Sequence, residues 1–174
     1  MVTYRHVAAD GTITSGPAAL SPAQVEVLQR RGAAFAGFVA DAAPIVDDFM
    51  RSVLAVDPAP YLADLDRFVE PLDQLVGDVE VAAADRGWLF TRVVYFVGEY
   101  LVRRHRGSWQ IDAAPGSPTF GHFVVHVPID RDGLGLISVS PGAVAGAYVD
   151  RPPPRRLRAI LQELVADIAA ARAP

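Results

Sequence analysis

The chain has 174 residues, of which 51% are hydrophobic and 21% charged, and it has no cysteine. This length and balance describe one domain able to bury a sizeable core. They exclude a disordered chain, disulfides, thiolate metal sites, iron–sulfur clusters and a cysteine nucleophile. All 16 cationic residues are arginine, as a GC-rich bacterial genome tends to produce. The absence of lysine excludes Schiff-base chemistry, pyridoxal-phosphate linkage and a lysine-bearing phosphate loop. The net charge of −4 is unevenly spread: residues 1–90 carry 6 Arg against 13 acidic residues, and residues 91–174 carry 10 Arg against 7. The two halves are suited to attract each other within the fold. The basic half is too weak a field to expect nucleic acid. Polar residues interrupt every apolar run before ~18 residues, so no membrane span is expected. The start, Met1 to His6, lacks the pattern of a signal peptide, and the cytoplasm is the expected location.

In chain order, Asp10-Gly11 is a turn pair within a marginal hairpin over residues 2–15. Ser21-Pro22-Ala23-Gln24 starts a helix with a capping box, running to about Asp41. Pro44 opens a second helix, ended by Asp57-Pro58-Ala59-Pro60. A third apolar stripe runs from Tyr61 to Leu75 and is expected to kink or restart near Pro71. Residues 77–87 read as a short helix and a turn. Trp88 to Arg104 is apolar around almost its whole circumference, which marks a buried helix; Arg92, Glu99 and Arg103 share its one polar stripe. From Ser108 the pattern alternates with period two. It gives strands over 108–112, 120–127 and 134–139, with a turn at Asp130-Arg131-Asp132-Gly133. Residues 140–149 read as strand or helix. After Pro152-Pro153-Pro154 comes a last amphipathic helix, about 154–172. Helices and strands fall in separate runs. The expected fold class is therefore α+β, a single domain with a helical part (about 20–106), a short, mainly antiparallel sheet (about 107–150) and a C-terminal helix.

Gly98-Glu99-Tyr100-Leu101 followed by Gly107-Ser108-Trp109-Gln110-Ile111-Asp112 resembles a pattern of small bacterial domains of unknown function, in which a Gly-Glu-x-Leu helix leads to a Trp-bearing strand. The resemblance covers roughly residues 88–150. Some similar domains serve as immunity or chaperone-like binders. The resemblance implies no catalytic residues.

The residues that invite chemistry are Glu99, Arg103, Arg104, His122 and His126. Glu99 lies in an apolar helix, where burial acts to raise a carboxyl pKa and Arg103 or Arg92 acts to lower it. It reads as a helix-orienting ion pair or as a general acid or base. Arg103-Arg104-His105-Arg106 is a solvated cationic helix end, or an anion or acidic-partner site, a reading the cluster Arg151, Arg155, Arg156 and Arg158 strengthens only if it lies beside the first. His122 and His126, four apart on a strand, are separated by roughly 13 Å. One ion with metal–nitrogen distances of about 2 Å does not span them. Neither metal nor cofactor is expected. The acidic residues between Asp41 and Asp73 read as solvated faces, or as a face for a basic protein partner.

No nucleophile elbow, dinucleotide fingerprint or calcium loop is present. The favoured reading is a non-enzymatic protein-binding module that uses the second sheet face, around Val124, or an open strand edge for another protein or a second copy. The alternative is a small-molecule binder or enzyme with a helix–sheet cleft around Glu99 and the strand histidines.

Overall fold

The computed structural model describes residues 20–55, 57–129 and 135–172. The expected hairpin over 2–15 and the turn at 130–133 lie outside them. The chain order is α1 (Pro22–Leu54), α2 (Ala59–Ala63), α3 (Asp66–Val76), α4 (Ala83–His105), β1 (Ser108–Ile111), β2 (Phe123–Pro128), β3 (Leu136–Val139), α5 (Pro141–Val149) and α6 (Leu157–Ala171). Helices pack on a small antiparallel sheet of order β1-β2-β3, which is the α+β fold expected.

The capping box forms as read: Ser21 Oγ accepts from the Gln24 N–H, and Gln24 Oε1 accepts from the Ser21 N–H. The helix that follows does not stop at Asp41. It runs through Pro44 to Leu54 as one element of 33 residues. Proline removes one N–H and displaces the carbonyl four residues back. Here Pro44 lies on the exposed side of the helix, as does Ala40 four residues back. Ala42, Val46, Phe49 and Met50 on the opposite face are buried and hold the helix together across the proline. Tertiary packing outweighs a local rule at this position. The helix ends at Ala55, which adopts a left-handed conformation (φ 52°).

The third stripe breaks at Asp64–Leu65, not at Pro71, which sits inside α3. The helix expected to be buried starts earlier than expected, at Ala83, and takes in the expected turn Asp85-Arg86-Gly87. Its central residues, Tyr95 to Leu101, are all buried, because α4 contacts α1, α5, β1 and β2. Arg106 closes it in a left-handed conformation (φ 59°), and the Gly107 N–H donates to the Leu101 carbonyl. A side chain at Gly107 would collide with Val125, so this position requires glycine for close approach.

The sheet register pairs Trp109 with Val125, Ile111 with Phe123 and Val127 with Ile137. These residues share one face. Phe38 of α1 packs there, with ring centroids 4.9 Å from Trp109, 4.1 Å from Phe123 and 4.7 Å from Tyr95. The undecided segment 140–149 is helical; Ser140 caps it by accepting from the Ala143 N–H.

The unequal charge of the two halves becomes a set of ion pairs. Arg92 meets Asp48 at 2.9 Å, Arg104 meets Asp66, Arg156 meets Asp78 at 2.7 Å and Arg158 meets Glu70 at 3.3 Å. Asp66, Glu70 and Asp78 are therefore engaged within the molecule, with arginines at the end of α4 and the start of α6.

Candidate functional site

Glu99 lies between helix and sheet. Gly98 sits against the indole of Trp109 so closely that any Cβ would overlap the ring. That approach brings Trp109 Nε1 to donate to Glu99 Oε1 at 3.4 Å, while Glu99 Oε2 accepts from Arg103 Nε at 3.2 Å. Arg103 then donates to the Leu62 carbonyl at the end of α2. The Gly-Glu helix and the Trp strand thus form a buried joint tying α2, α4 and β1 together. Both carboxylate oxygens of Glu99 have partners, and the residue is 9% exposed.

Arg104, the next residue along α4, pairs with Asp66 of α3. Beside them burial, together with Asp66, pushes the Tyr100 hydroxyl up to about 12. Burial, Arg172 and Arg104 hold His105 below its ordinary value, with Asp66 acting against them. Arg172 donates to the carbonyls of Pro128 and His105, fixing the end of α6 to β2 and α4.

His122 is exposed in the turn before β2, since that strand begins at Phe123. His126 is half-buried, opposite Ser108 and Ser138. Alternation along β2 sets His126 on the face away from Trp109 and Val125, so the sheet stands between it and Glu99. Burial lowers the His126 pKa, although Asp112 acts to raise it. Asp112 is buried at the end of β1. Burial acts to raise its pKa, but hydrogen bonds from Ser117, Thr119 and the Ala114 N–H outweigh it and hold it below the usual carboxylate value. These bonds lock the 112–119 turn. The expectation of a free sheet face at Val124 is corrected: Val124 is fully buried.

Three members of the second arginine cluster have partners within the molecule. Arg155 is 2% exposed and donates to the carbonyls of Val149 and Val79. Arg156 and Arg158 meet Asp78 and Glu70. Asp73, invisible as a special residue in the sequence, caps α6 from 84 residues away by accepting from the Leu157 N–H at 2.6 Å and the Arg158 N–H at 3.1 Å. Burial, then the neighbouring Asp73 carboxylate, raises the pKa of the buried Tyr148 hydroxyl. A half-open cavity of about 270 Å³ lies against this junction, lined by Glu70, Asp73, Asp78, Arg156 and Arg158 among others. Asp78 pairs with Arg156 and Glu70 with Arg158, while Asp73 is engaged by the N–H groups of α6. Among the described residues no group of three or more His, Asp or Glu is placed to hold a metal, and no helix is long and apolar enough to cross a membrane.

Among the described residues, one surface has little internal use. The first twenty residues of α1 pack on the body through Phe35 and Phe38, with Arg31 over the Phe123 ring; Val27 and Leu28 are half-buried, and the rest of that stretch is largely exposed. Val25 and Val39 are 39% and 38% exposed. Side chains built on Gly32 and Gly37 would meet nothing within 4 Å. Sequence reasoning missed this face, because it treated the helix as two pieces.

No protein-family profile matches the chain, and neither does any curated protein or solved structure.

Proposed function

We propose that the chain is a non-enzymatic protein-binding module whose docking surface is the outward face of α1. The observation that carries this reading is the contrast within one helix of 33 residues. Its inner stripe is packed with aromatic residues, while its outer stripe is exposed, poor in large side chains and open to close approach at Gly37. Small residues let a second helix come within about 8–10 Å axis to axis. The residues that invite catalysis support the same reading from the other side. Glu99, Arg103 and Arg104 are engaged in internal bonds, and the sheet separates Glu99 from His126. A general acid or base requires a substrate-facing partner, and this arrangement supplies none to Glu99.

The test compares tagged wild type with Gly37→Arg as baits in host lysate at moderate salt. The expected result is a stoichiometric protein partner held by wild type and lost by the variant, with the variant melting no lower than wild type. Recovery of the same proteins by both baits, or of none by either, contradicts the reading.

A further inference from the structure

The outward face of α1 carries a charge pattern that reads the same in both directions once one copy is reversed. Residues 26, 30, 33, 37, 40, 44, 47 and 51 advance alternately by four and three, so they share one stripe of the helix. All are exposed except Asp47, which is half-exposed. The stripe reads Glu26, Arg30, Ala33, Gly37, Ala40, Pro44, Asp47, Arg51: charges at both ends, small or short residues between. Each end is an internal pair, Glu26 with Arg30 at 3.9 Å and Asp47 with Arg51 at 2.8 Å.

We infer that α1 pairs with α1 of a second copy, antiparallel, about a two-fold axis opposite the middle of the stripe. This rests on the protein-binding reading above and names its partner. The two-fold axis sets Glu26 against Arg51 of the other copy, Arg30 against Asp47, Ala33 against Pro44 and Gly37 against Ala40. Every charge then meets its opposite, and each end becomes an alternating group of four charges. A parallel pairing sets Glu26 on Glu26 and Arg30 on Arg30, which like-charge repulsion disfavours. An isologous contact repeats each interaction on both sides of the axis and closes at two copies. The centre is suited to close contact because Ala33, Gly37 and Ala40 put no bulk between the helices. The stripe spans 25 residues, roughly 38 Å at about 1.5 Å per residue. A contact of one helix per copy belongs with the smaller interfaces, so association in the micromolar range is expected.

Sedimentation velocity of the full chain over an about 100-fold concentration range tests this. Wild type is expected to pass from monomer to dimer. Gly37→Arg is expected to stay monomeric while remaining fully folded, Arg30→Glu to weaken association at least tenfold, and Arg30→Glu with Asp47→Arg in the same chain to restore most of it. Because the chain has no cysteine of its own, a mixture of Glu26→Cys and Arg51→Cys chains reports direction. A disulfide joining the two different variants supports the antiparallel pair; Glu26→Cys joining itself overturns it. A wild type that stays monomeric throughout, or a dimer untouched by Gly37→Arg, also overturns the inference. If the protein is monomeric yet Gly37→Arg alone loses a different protein from lysate, self-pairing falls and the docking reading stands. If Gly37→Arg keeps every lysate partner as well, both fall.

Discussion

Two charged helices of this molecule use their side chains in opposite ways. In α3 and the loop after it, Asp66, Glu70, Asp73 and Asp78 each reach a partner on α4 or on the chain entering α6. On the outer face of α1, Glu26 pairs with Arg30 and Asp47 with Arg51, each along the same helix. Composition does not distinguish the two, since both helices present acids and arginines at helical spacing. The difference lies in what the fold sets opposite them. Charges met by opposite charges from distant sequence serve the fold. Charges on a face that the other described residues leave exposed are free for a partner.

The largest expected effect lies on the α3 side. Asp73→Ala removes the acceptor of two N–H groups at the start of α6 and leaves them without an acceptor beside the buried Arg155. A loss of about 3 kcal/mol is expected, read from denaturant midpoints at constant slope. A loss under about 1 kcal/mol there would erase the contrast with α1. The surface pairs Arg156–Asp78 and Arg158–Glu70 are each expected to contribute at most about 1 kcal/mol, because both partners are substantially exposed.

A smaller effect is expected at the Gly98–Glu99–Trp109 joint. Glu99→Gln keeps an oxygen for the indole N–H but loses the charged bond to Arg103, whose side chain is 37% exposed. Solvent screening keeps the expected cost near 1 kcal/mol. The variant should keep every lysate interaction of wild type. If Glu99→Gln melts like wild type but loses a small-molecule thermal shift, the cleft reading displaces the docking reading.

The smallest effect is pH dependence. His105 and His126 have pKa values below the ordinary 6.5, chiefly through burial. The unfolded chain therefore binds protons that the folded chain resists. Their stability contribution is present above about pH 6.5 and is lost as pH falls through the folded values. Asp112, depressed below 3.8, adds a second loss at lower pH. The melting temperature should fall between pH 7 and pH 5, and the double variant His105→Gln, His126→Gln should flatten that fall. An unchanged slope in the double variant would show that these histidines do not carry it.

The sequence made local structure legible where one short segment decides it. Ser21 to Gln24 is a cap whatever surrounds it, and the alternation through Trp109, Val125 and Val127 sets the inner face of the sheet. It misled where distant packing decides. Pro44 read as a helix start, yet Phe49 and Met50 on the buried side carry the helix through it. Val124 read as a free face, and it is buried. The cap on α6 was illegible because Asp73 and Leu157 meet only in the fold. The outward stripe of α1 was legible in principle at its alternating spacing of four and three, but only for a helix taken as continuous.

The most direct measurement sets the two helices against each other: capture of partners, a second copy included, by wild type, Gly37→Arg and Glu70→Gln baits at matched folding. The α1 reading predicts that Gly37→Arg loses the partner and Glu70→Gln keeps it. Loss from Glu70→Gln with retention by Gly37→Arg would place the binding surface on α3 and contradict it.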